Sequence, residues 1–329
     1  VERVEHLGHG QTPEELRIGP AADPPGPDDT SSMTHASPVA GTANPATGTS
    51  PHIGLGPRPE WGFRAPRPPA PIEPFDLFHP LVPPELEGLR ILHLSDSHIE
   101  RLYPRPAHHH RLLDALSRTQ ADLIFLTGDF MTSPGDEPAA LIALDELSHA
   151  WRTRFGAFAV RGNHDTARFI EGAQQIPGLR WLSHESVKIP IDFGRGICAL
   201  RVVGSGFPES LLESIGPPDD SFALALVHYP SEIFAAAELR IPIVLSGHTH
   251  GGQVRTHASW LPHTSCDLPG NLASGVFRLR DTMLCISRGL GAAVLPFRVN
   301  CPAQAPLYTL RRHAFGSPTC EVLAPIYRW

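Results

Sequence analysis

Five apolar runs, each closing on a short cluster of polar residues and glycines, constrain this 329-residue chain more than any other feature. Leu92-His93-Leu94-Ser95 runs into Asp96-Ser97-His98. Ile124-Phe125-Leu126-Thr127 runs into Gly128-Asp129, and Phe158-Ala159-Val160 into Arg161-Gly162-Asn163-His164-Asp165. Ala225-Leu226-Val227 ends on His228, and Val244-Leu245-Ser246 on Gly247-His248-Thr249-His250-Gly251-Gly252. Short runs that are apolar on both faces suit strands covered on both sides. In open α/β sheets, ligands bind at the carboxyl ends of such strands. The adjoining glycines let the backbone turn sharply and approach a ligand closely.

Strands are expected over 89–94, 123–126, 157–160, 199–203, 222–227, 241–245 and 283–286. Helical patterns lie between them. Leu112, Leu113 and Leu116 share one face, as do Ala140, Leu144 and Leu147. Ser231 is expected to cap a short helix carrying Ile233, Phe234 and Ala237. Strands alternating with helices imply an α/β domain, taken to span 71–329. Residues 1–70 are rich in Pro, Gly and Ser and poor in large apolar side chains, so ordering them has little to offset its entropy. They are expected to form a disordered tail.

Composition narrows the chemistry. The formal net charge is -7, and no Lys/Arg cluster points to nucleic acid. The five cysteines (Cys198, Cys266, Cys285, Cys301 and Cys320) are odd in number and scattered. That argues against a disulfide framework or a thiolate zinc site. No apolar run reaches the length of a membrane span, and the opening residues lack a signal-peptide core. The expectation is a cytoplasmic protein, with peripheral membrane contact left open.

The strand-end residues offer two carboxylates (Asp96, Asp129), one amide (Asn163) and four imidazoles (His98, His228, His248, His250). Oxygen and imidazole donors suit Mn²⁺ first, with Fe or Zn²⁺ as alternatives. Phosphoryl chemistry needs a nucleophile at neutral pH and neutralised phosphoryl charge. Two ions about 3.5–4 Å apart supply both. One carboxylate must then bridge them, and Asp129 is the candidate. His164, beside Asn163, is a candidate to protonate the leaving group or stabilise its charge.

In order and spacing, Asp96-Ser97-His98, Gly128-Asp129, Gly162-Asn163-His164-Asp165, His228 and Gly247-His248-Thr249-His250 resemble the calcineurin-like metallophosphoesterase signature. The resemblance implies a four-layer αββα sandwich of two mixed sheets, with the metal site at the strand ends. It implies one metal on Asp96, His98, Asp129 and His250, and a second on Asp129, Asn163, His228 and His248. It also implies a catalytic role for His164 and, next to it, for Asp165. Thr132 stands where purple acid phosphatases carry a tyrosine, and Asp129 is not followed by Asp-Arg-Gly as in protein Ser/Thr phosphatases. The extended motifs around Gly247, Arg288 and Arg298 look like the bacterial YkuE/YaeI phosphodiesterase subgroup.

The implied function is metal-dependent phosphodiester hydrolysis, by in-line attack of a hydroxide bridging two metals. The substrate is then a small-molecule or lipid-linked phosphoester. One alternative is a UDP-2,3-diacylglucosamine-type pyrophosphate hydrolase, and another a non-catalytic metal-binding interaction module. Arg288 and Arg298 are candidate substrate-phosphate contacts, and the segment from Arg255 to Leu272 a candidate substrate-facing loop. His93 is expected to be a packed core residue, His108-His109-His110 solvated or at a substrate rim, and His184, His257, His263 and His313 on the surface.

Overall fold

Side chains that alternate along short strands build two sheets facing each other. In the computed structural model, the residues described are 71–102, 109–207, 219–255, 268, 272–293 and 295–313. The expected tail, most of the candidate loop from Arg255 to Leu272, His108, His257, His263, Cys266 and Cys320 lie outside them.

The strands are β1 (Ile72–Phe78), β2 (Arg90–Leu94), β3 (Gln120–Ala121), β4 (Leu123–Leu126), β5 (Arg152–Thr153), β6 (Ala157–Ala159), β7 (Leu179–Trp181), β8 (Glu185–Asp192), β9 (Ile197–Ser205), β10 (Phe222–Val227), β11 (Ile243–Ser246), β12 (Gly275–Leu279), β13 (Thr282–Ile286) and β14 (Ala305–Arg311). The first sheet runs β1-β14-β2-β4-β6-β7 and the second β12-β13-β11-β10-β9-β8. Both are mixed. β14 lies antiparallel to β2, whereas β2, β4, β6 and β7 run parallel. In the second sheet, β8 and β12 are the antiparallel strands on a parallel centre. β3 and β5 form a separate two-stranded ribbon.

One apolar cluster fills the space between the sheets. Ile91, Leu123, Phe125 and Phe158 meet Leu224, Leu226, Ile243 and Leu245 there. The alternate residues of the first sheet, Leu92, Leu94, Ile124 and Leu126, enter a second cluster. That cluster is closed by α1 (His109–Arg118), α2 (Glu137–Ala150) and α3 (Ala167–Ala173) through Leu112, Leu116, Ala140, Leu144, Leu147 and Phe169. The helical cover of the second sheet is thinner, with α4 (Ile233–Glu238) packed on β12 and β13. The α/β sandwich of mixed sheets is therefore as expected.

Some local expectations are corrected. Ser231 caps nothing: Pro230 opens a 3-10 turn over Pro230–Glu232, and α4 starts from Glu232 with no side-chain cap. The cap that does form is Thr166, whose Oγ1 accepts the Phe169 N–H at 3.1 Å at the start of α3. His109 is neither solvated nor at a rim. It is 3% exposed, and its Nε2 meets Glu146 Oε2 at 2.9 Å, tying α1 to α2.

Strand register positions the site. Leu94 pairs with Leu126 and Leu126 with Ala159. Asp96, Gly128 and Arg161 each follow two residues later, so three polar clusters leave the sheet at one level. In the second sheet Leu226 pairs with Leu245, which brings His228 level with Gly247. Backbone hydrogen bonds continue past the strand ends, from Asp96 N to Gly128 O (2.9 Å), His98 N to Asp129 O (3.1 Å) and Gly247 N to His228 O (3.2 Å).

Candidate metal centre

Five of the seven expected ligands take positive φ: Asp96 (50°), His98 (42°), Asp129 (57°), His248 (72°) and His250 (52°). Side-chain-bearing residues rarely sit there, and such strain is stored where geometry matters to function. The turns that hold them need glycine. A Cβ on Gly247 would stand 1.9 Å from Ser95 Oγ and 2.3 Å from Asp96 Oδ2. One on Gly162 would stand 2.2 Å from Asp129 Oδ1.

Two buried triads result, Asp96–His98–His250 and Asp129–His228–His248, with the donor atoms of each within 4.8 Å of one another. In the first, His98 Nε2 and His250 Nε2 are 3.0 Å apart, and His250 Nε2 is 3.6 Å from Asp96 Oδ1. In the second, His228 Nε2 is 3.2 Å from His248 Nδ1 and 3.2 Å from Asp129 Oδ2. Asn163 Oδ1 joins it at 2.9 Å from His228 Nε2. Asp129 Oδ2 also stands 3.5 Å from His98 Nε2, so one oxygen reaches both triads.

These spacings fit divalent ions. Donors about 2.0–2.2 Å from one ion stand roughly 3–3.5 Å apart. The charges fit as well. Burial, aided by the charge of Asp129, pushes the Asp96 carboxyl up against the pull of His228 and His98. Burial also acts to raise Asp129, but charge and hydrogen bonding from His228 and His98 hold it well below the usual carboxylate range. Burial opposes a proton on His228, yet Asp129 outweighs it and lifts the imidazole to about 9. Buried carboxylates demand compensating positive charge, which divalent ions would supply. The far side of His228 is prepared for ligation: Nδ1–H donates to Thr127 O at 2.7 Å, so Nε2 is the nitrogen that would bind an ion in place of its proton.

The remaining expected residues divide. Asn163 and His164 are partly exposed while the triads are buried, so the centre meets solvent on their side. His164 Nδ1–H donates to Thr132 O at 2.7 Å, its backbone N–H to Asp129 Oδ1 at 2.8 Å, and its ring centroid lies 4.8 Å from that of His98. Asp165 is 1% exposed and spends both oxygens on backbone amides. Oδ2 accepts from Asp129 N and Gly162 N, each at 2.9 Å, and Oδ1 from Phe130 N at 2.7 Å. Burial and the nearby Asp129 charge raise its carboxyl to about 6.

Arg288 and Arg298 both have partners within the chain. Arg288 is buried, with Nε on Pro302 O at 2.8 Å and Nη2 on Glu73 Oε1 at 2.5 Å. Arg298 donates to Gly291 O (2.6 Å), Arg288 O (2.7 Å) and His250 O (3.1 Å). Arg298 thereby braces the chain at His250, and its bond to Arg288 O ties the two arginine segments together. Sequence reasoning missed other braces, because nothing in their spacing marks them. Thr249 Oγ1 donates to Ala273 O at 2.5 Å, Cys301 Sγ to His250 O at 3.3 Å, and Gln253 Nε2 to Leu295 O at 2.7 Å. Gln304 accepts from Arg288 N at 3.2 Å and donates to Glu73 at 2.8 Å.

The calcineurin-like phosphoesterase family model matches residues 89–252, a span that holds all seven expected ligands. The metallophosphoesterase YkoQ of Bacillus subtilis (strain 168) is 30% identical over 232 residues, covering 66% of this chain and 82% of its own. The chain belongs to the calcineurin-like phosphoesterase family. YkuE of the same organism is 25% identical over 244 residues, covering 70% of this chain and 82% of its own, in line with the expected subgroup. A zebrafish (Danio rerio) transmembrane protein with a metallophosphoesterase domain is 28% identical over 240 residues, 66% of this chain and 52% of its own. Members of this family bind two divalent metals, and the two triads are this chain's candidate groups for them. The domain is a hydrolase domain acting on phosphoesters. Among the described residues no helix is long and apolar enough to cross a membrane.

Proposed function

We propose that this protein is a metal-dependent phosphodiesterase. The observation that carries the reading is Asp129 Oδ2, 3.2 Å from a histidine of one triad and 3.5 Å from a histidine of the other. A single carboxylate oxygen shared between two sets of donors is what a dinuclear centre requires. When bound, the two ions supply a nucleophile at neutral pH and neutralise charge on the phosphoryl oxygens. We read Asp96, His98, Asp129 and His250 as holding one ion, and Asp129, Asn163, His228 and His248 as holding the other. We favour Mn²⁺ for this site, with Fe or Zn²⁺ as alternatives, because its oxygen and imidazole donors include no thiolate.

Hydrolysis adds water across the P–O bond: oxygen goes to phosphorus and a proton to the departing oxygen. We read His164 Nε2 as the donor of that proton. Its support is that Nδ1 is committed to Thr132 O while the ring lies at the solvent side of the centre. Asp165 and Arg298 are read as braces, since they hydrogen-bond the backbone of the ligand loops, and Arg288 as a support behind them through Glu73 and Pro302.

A second substituent on phosphorus has somewhere to lie. The half-buried Tyr229 ring is 4.4 Å from the His248 ring and 6.2 Å from Phe207, and the Arg161 guanidinium is 5.9 Å from Phe207. This partly exposed shelf beside the second triad supports a diester over a bare monoester. The test is hydrolysis of bis-p-nitrophenyl phosphate by the full chain loaded with Mn²⁺, abolished by chelation and by Asp129→Ala. Metal-loaded protein that cleaves no ester or anhydride across a broad panel sinks the reading.

One observation favours a nucleotide-linked lipid pyrophosphate as substrate instead. Leu295, Phe297 and Val299 are 45%, 51% and 41% exposed on the loop that Arg298 ties to His250. Exposed apolar side chains on a loop tied to His250 suit acyl chains. Failure to cleave detergent-presented UDP-diacylglucosamine, with diester hydrolysis intact, would remove this alternative.

A further inference from the structure

Asp96 binds a cation as a carboxylate, which accepts hydrogen bonds and donates none. That sets the direction of a chain of hydrogen bonds beneath it. Ser95 Oγ–H donates to Asp96 Oδ2. The Ser95 oxygen accepts from Thr127 Oγ1–H at 2.7 Å. With the Thr127 proton so used, the 2.8 Å contact between Thr127 Oγ1 and His93 Nε2 must be one in which the imidazole donates. His93 is therefore the Nε2–H tautomer. Its Nδ1 keeps a lone pair, and that buried atom has no hydrogen-bond partner among the described residues.

All four side chains are sealed from water, with His93, Thr127 and Asp96 at 0% and Ser95 at 4% exposure. The chain crosses from β2 to β4 and back, ending on Asp96 Oδ2. The other oxygen, Oδ1, is the one 3.6 Å from His250 Nε2. Burying an imidazole with one nitrogen unpartnered costs stability that an aliphatic residue would not. Burial also keeps His93 neutral, its pKa driven down to about 3. Tyr308, at 6.3 Å between ring centroids, gives it ordinary packing but no polar partner for Nδ1.

We propose that His93, Thr127 and Ser95 are positioning residues that hold Asp96 with Oδ1 turned to the first ion site and thereby set the affinity of that site. The proposal rests on reading Asp96 as a metal ligand. Thr127 also touches the other site, but through its backbone: its carbonyl accepts from His228 Nδ1. Replacing its side chain therefore interrupts the chain to Asp96 and leaves the His228 contact in place.

The experiment is stepwise Co²⁺ titration of the metal-free full chain, read by visible absorption, for wild type, Thr127→Val, Thr127→Ser and His93→Leu. Thr127→Val keeps the shape and loses the hydroxyl. It should weaken one of the two sites about 10- to 100-fold, the usual cost of losing an outer-shell partner, and leave the second at wild-type affinity. Thr127→Ser, which keeps the hydroxyl, should restore the lost affinity. His93→Leu should weaken the same site by a smaller factor. Nitrogen NMR of wild type loaded with diamagnetic Zn²⁺, which keeps Asp96 a carboxylate, should find the His93 proton on Nε2.

Wild-type binding of both ions by Thr127→Val, or equal losses in Thr127→Val and Thr127→Ser, overturns the proposal. So does a proton on Nδ1, and unchanged affinity in His93→Leu removes His93 from the set. A wild-type protein that binds no ion overturns the metal reading itself. Two ions in wild type with an unaffected Thr127→Val overturn only the positioning chain.

Discussion

Asp165 Oδ2 accepts the backbone N–H of Asp129 at 2.9 Å, so the carboxylate read as the bridge between two ions is held from behind by another. The same oxygen takes Gly162 N–H, and Oδ1 takes Phe130 N–H. Two ligand loops are thus pinned to one buried side chain. Asp165→Asn replaces one acceptor oxygen with an NH₂ group that only donates, leaving at least one buried backbone N–H unpaired. Stability should fall by about 1–3 kcal/mol, and bound metal should fall with it. Urea unfolding and metal analysis check this. Full stability and metal content combined with lost turnover would instead give Asp165 a chemical role.

His164 is expected to behave in the opposite way. His164→Asn should keep wild-type metal content and stability, because the ring is partly exposed and not among the ligands. Turnover of diesters with alkyl leaving groups should drop about 10²- to 10⁴-fold, the usual worth of a positioned proton donor. Esters that release p-nitrophenolate, which departs without a proton, should lose far less. Equal losses across leaving groups would rule out proton donation.

Gly162→Ala tests how tightly the site is built. The new methyl would meet Asp129 Oδ1 at 2.2 Å and Asp129 N at 2.3 Å, so the bridging carboxylate must shift. Misplacement of about 1 Å costs on the order of 10²-fold in rate. We expect that loss in kcat with reduced metal retention on gel filtration. Wild-type kinetics would mean the loop relaxes without moving Asp129.

Acid sensitivity should come in part from His79. Its Nε2 donates to Asp281 O at 2.9 Å and its Nδ1 accepts from Leu81 N at 3.1 Å, an arrangement only the neutral ring can make. Burial lowers its pKa below the ordinary 6.5. The unfolded chain then takes the proton first, so folding stability is present above 6.5 and is lost as pH falls below it. The slope is at most about 1.4 kcal/mol per pH unit. His79→Gln should flatten the fall in stability between about pH 6.5 and 5 relative to wild type, measured by denaturation at each pH. An unchanged slope would exclude His79 as a source.

Several strands could be read in the sequence because both faces are apolar. Leu123–Leu126 and Phe222–Val227 appear with the expected bounds. Others were hidden for physical reasons. β8 carries a clean alternation at Val187, Ile189 and Ile191, but Pro190 obscures it, and Pro is tolerated only because β8 is an edge strand. β1 contains Pro74 and Asp76 and is a strand because it pairs with β14 near the other end of the described chain. Local sequence cannot announce a partner so distant.

The sequence by itself determined the residue types at five strand ends, and with them the donor set and the family. It determined those types locally, because a strand period and a glycine turn are properties of a few adjacent residues. Only the tertiary structure decided which atoms meet. Register aligned the strand ends, turned Asp129 Oδ2 toward both triads and aimed Arg288 and Arg298 at backbone carbonyls. It also gave His93, which reads as an ordinary core histidine, a hydrogen-bonded path to Asp96. Such contacts join residues on different strands, and no spacing within one strand encodes them.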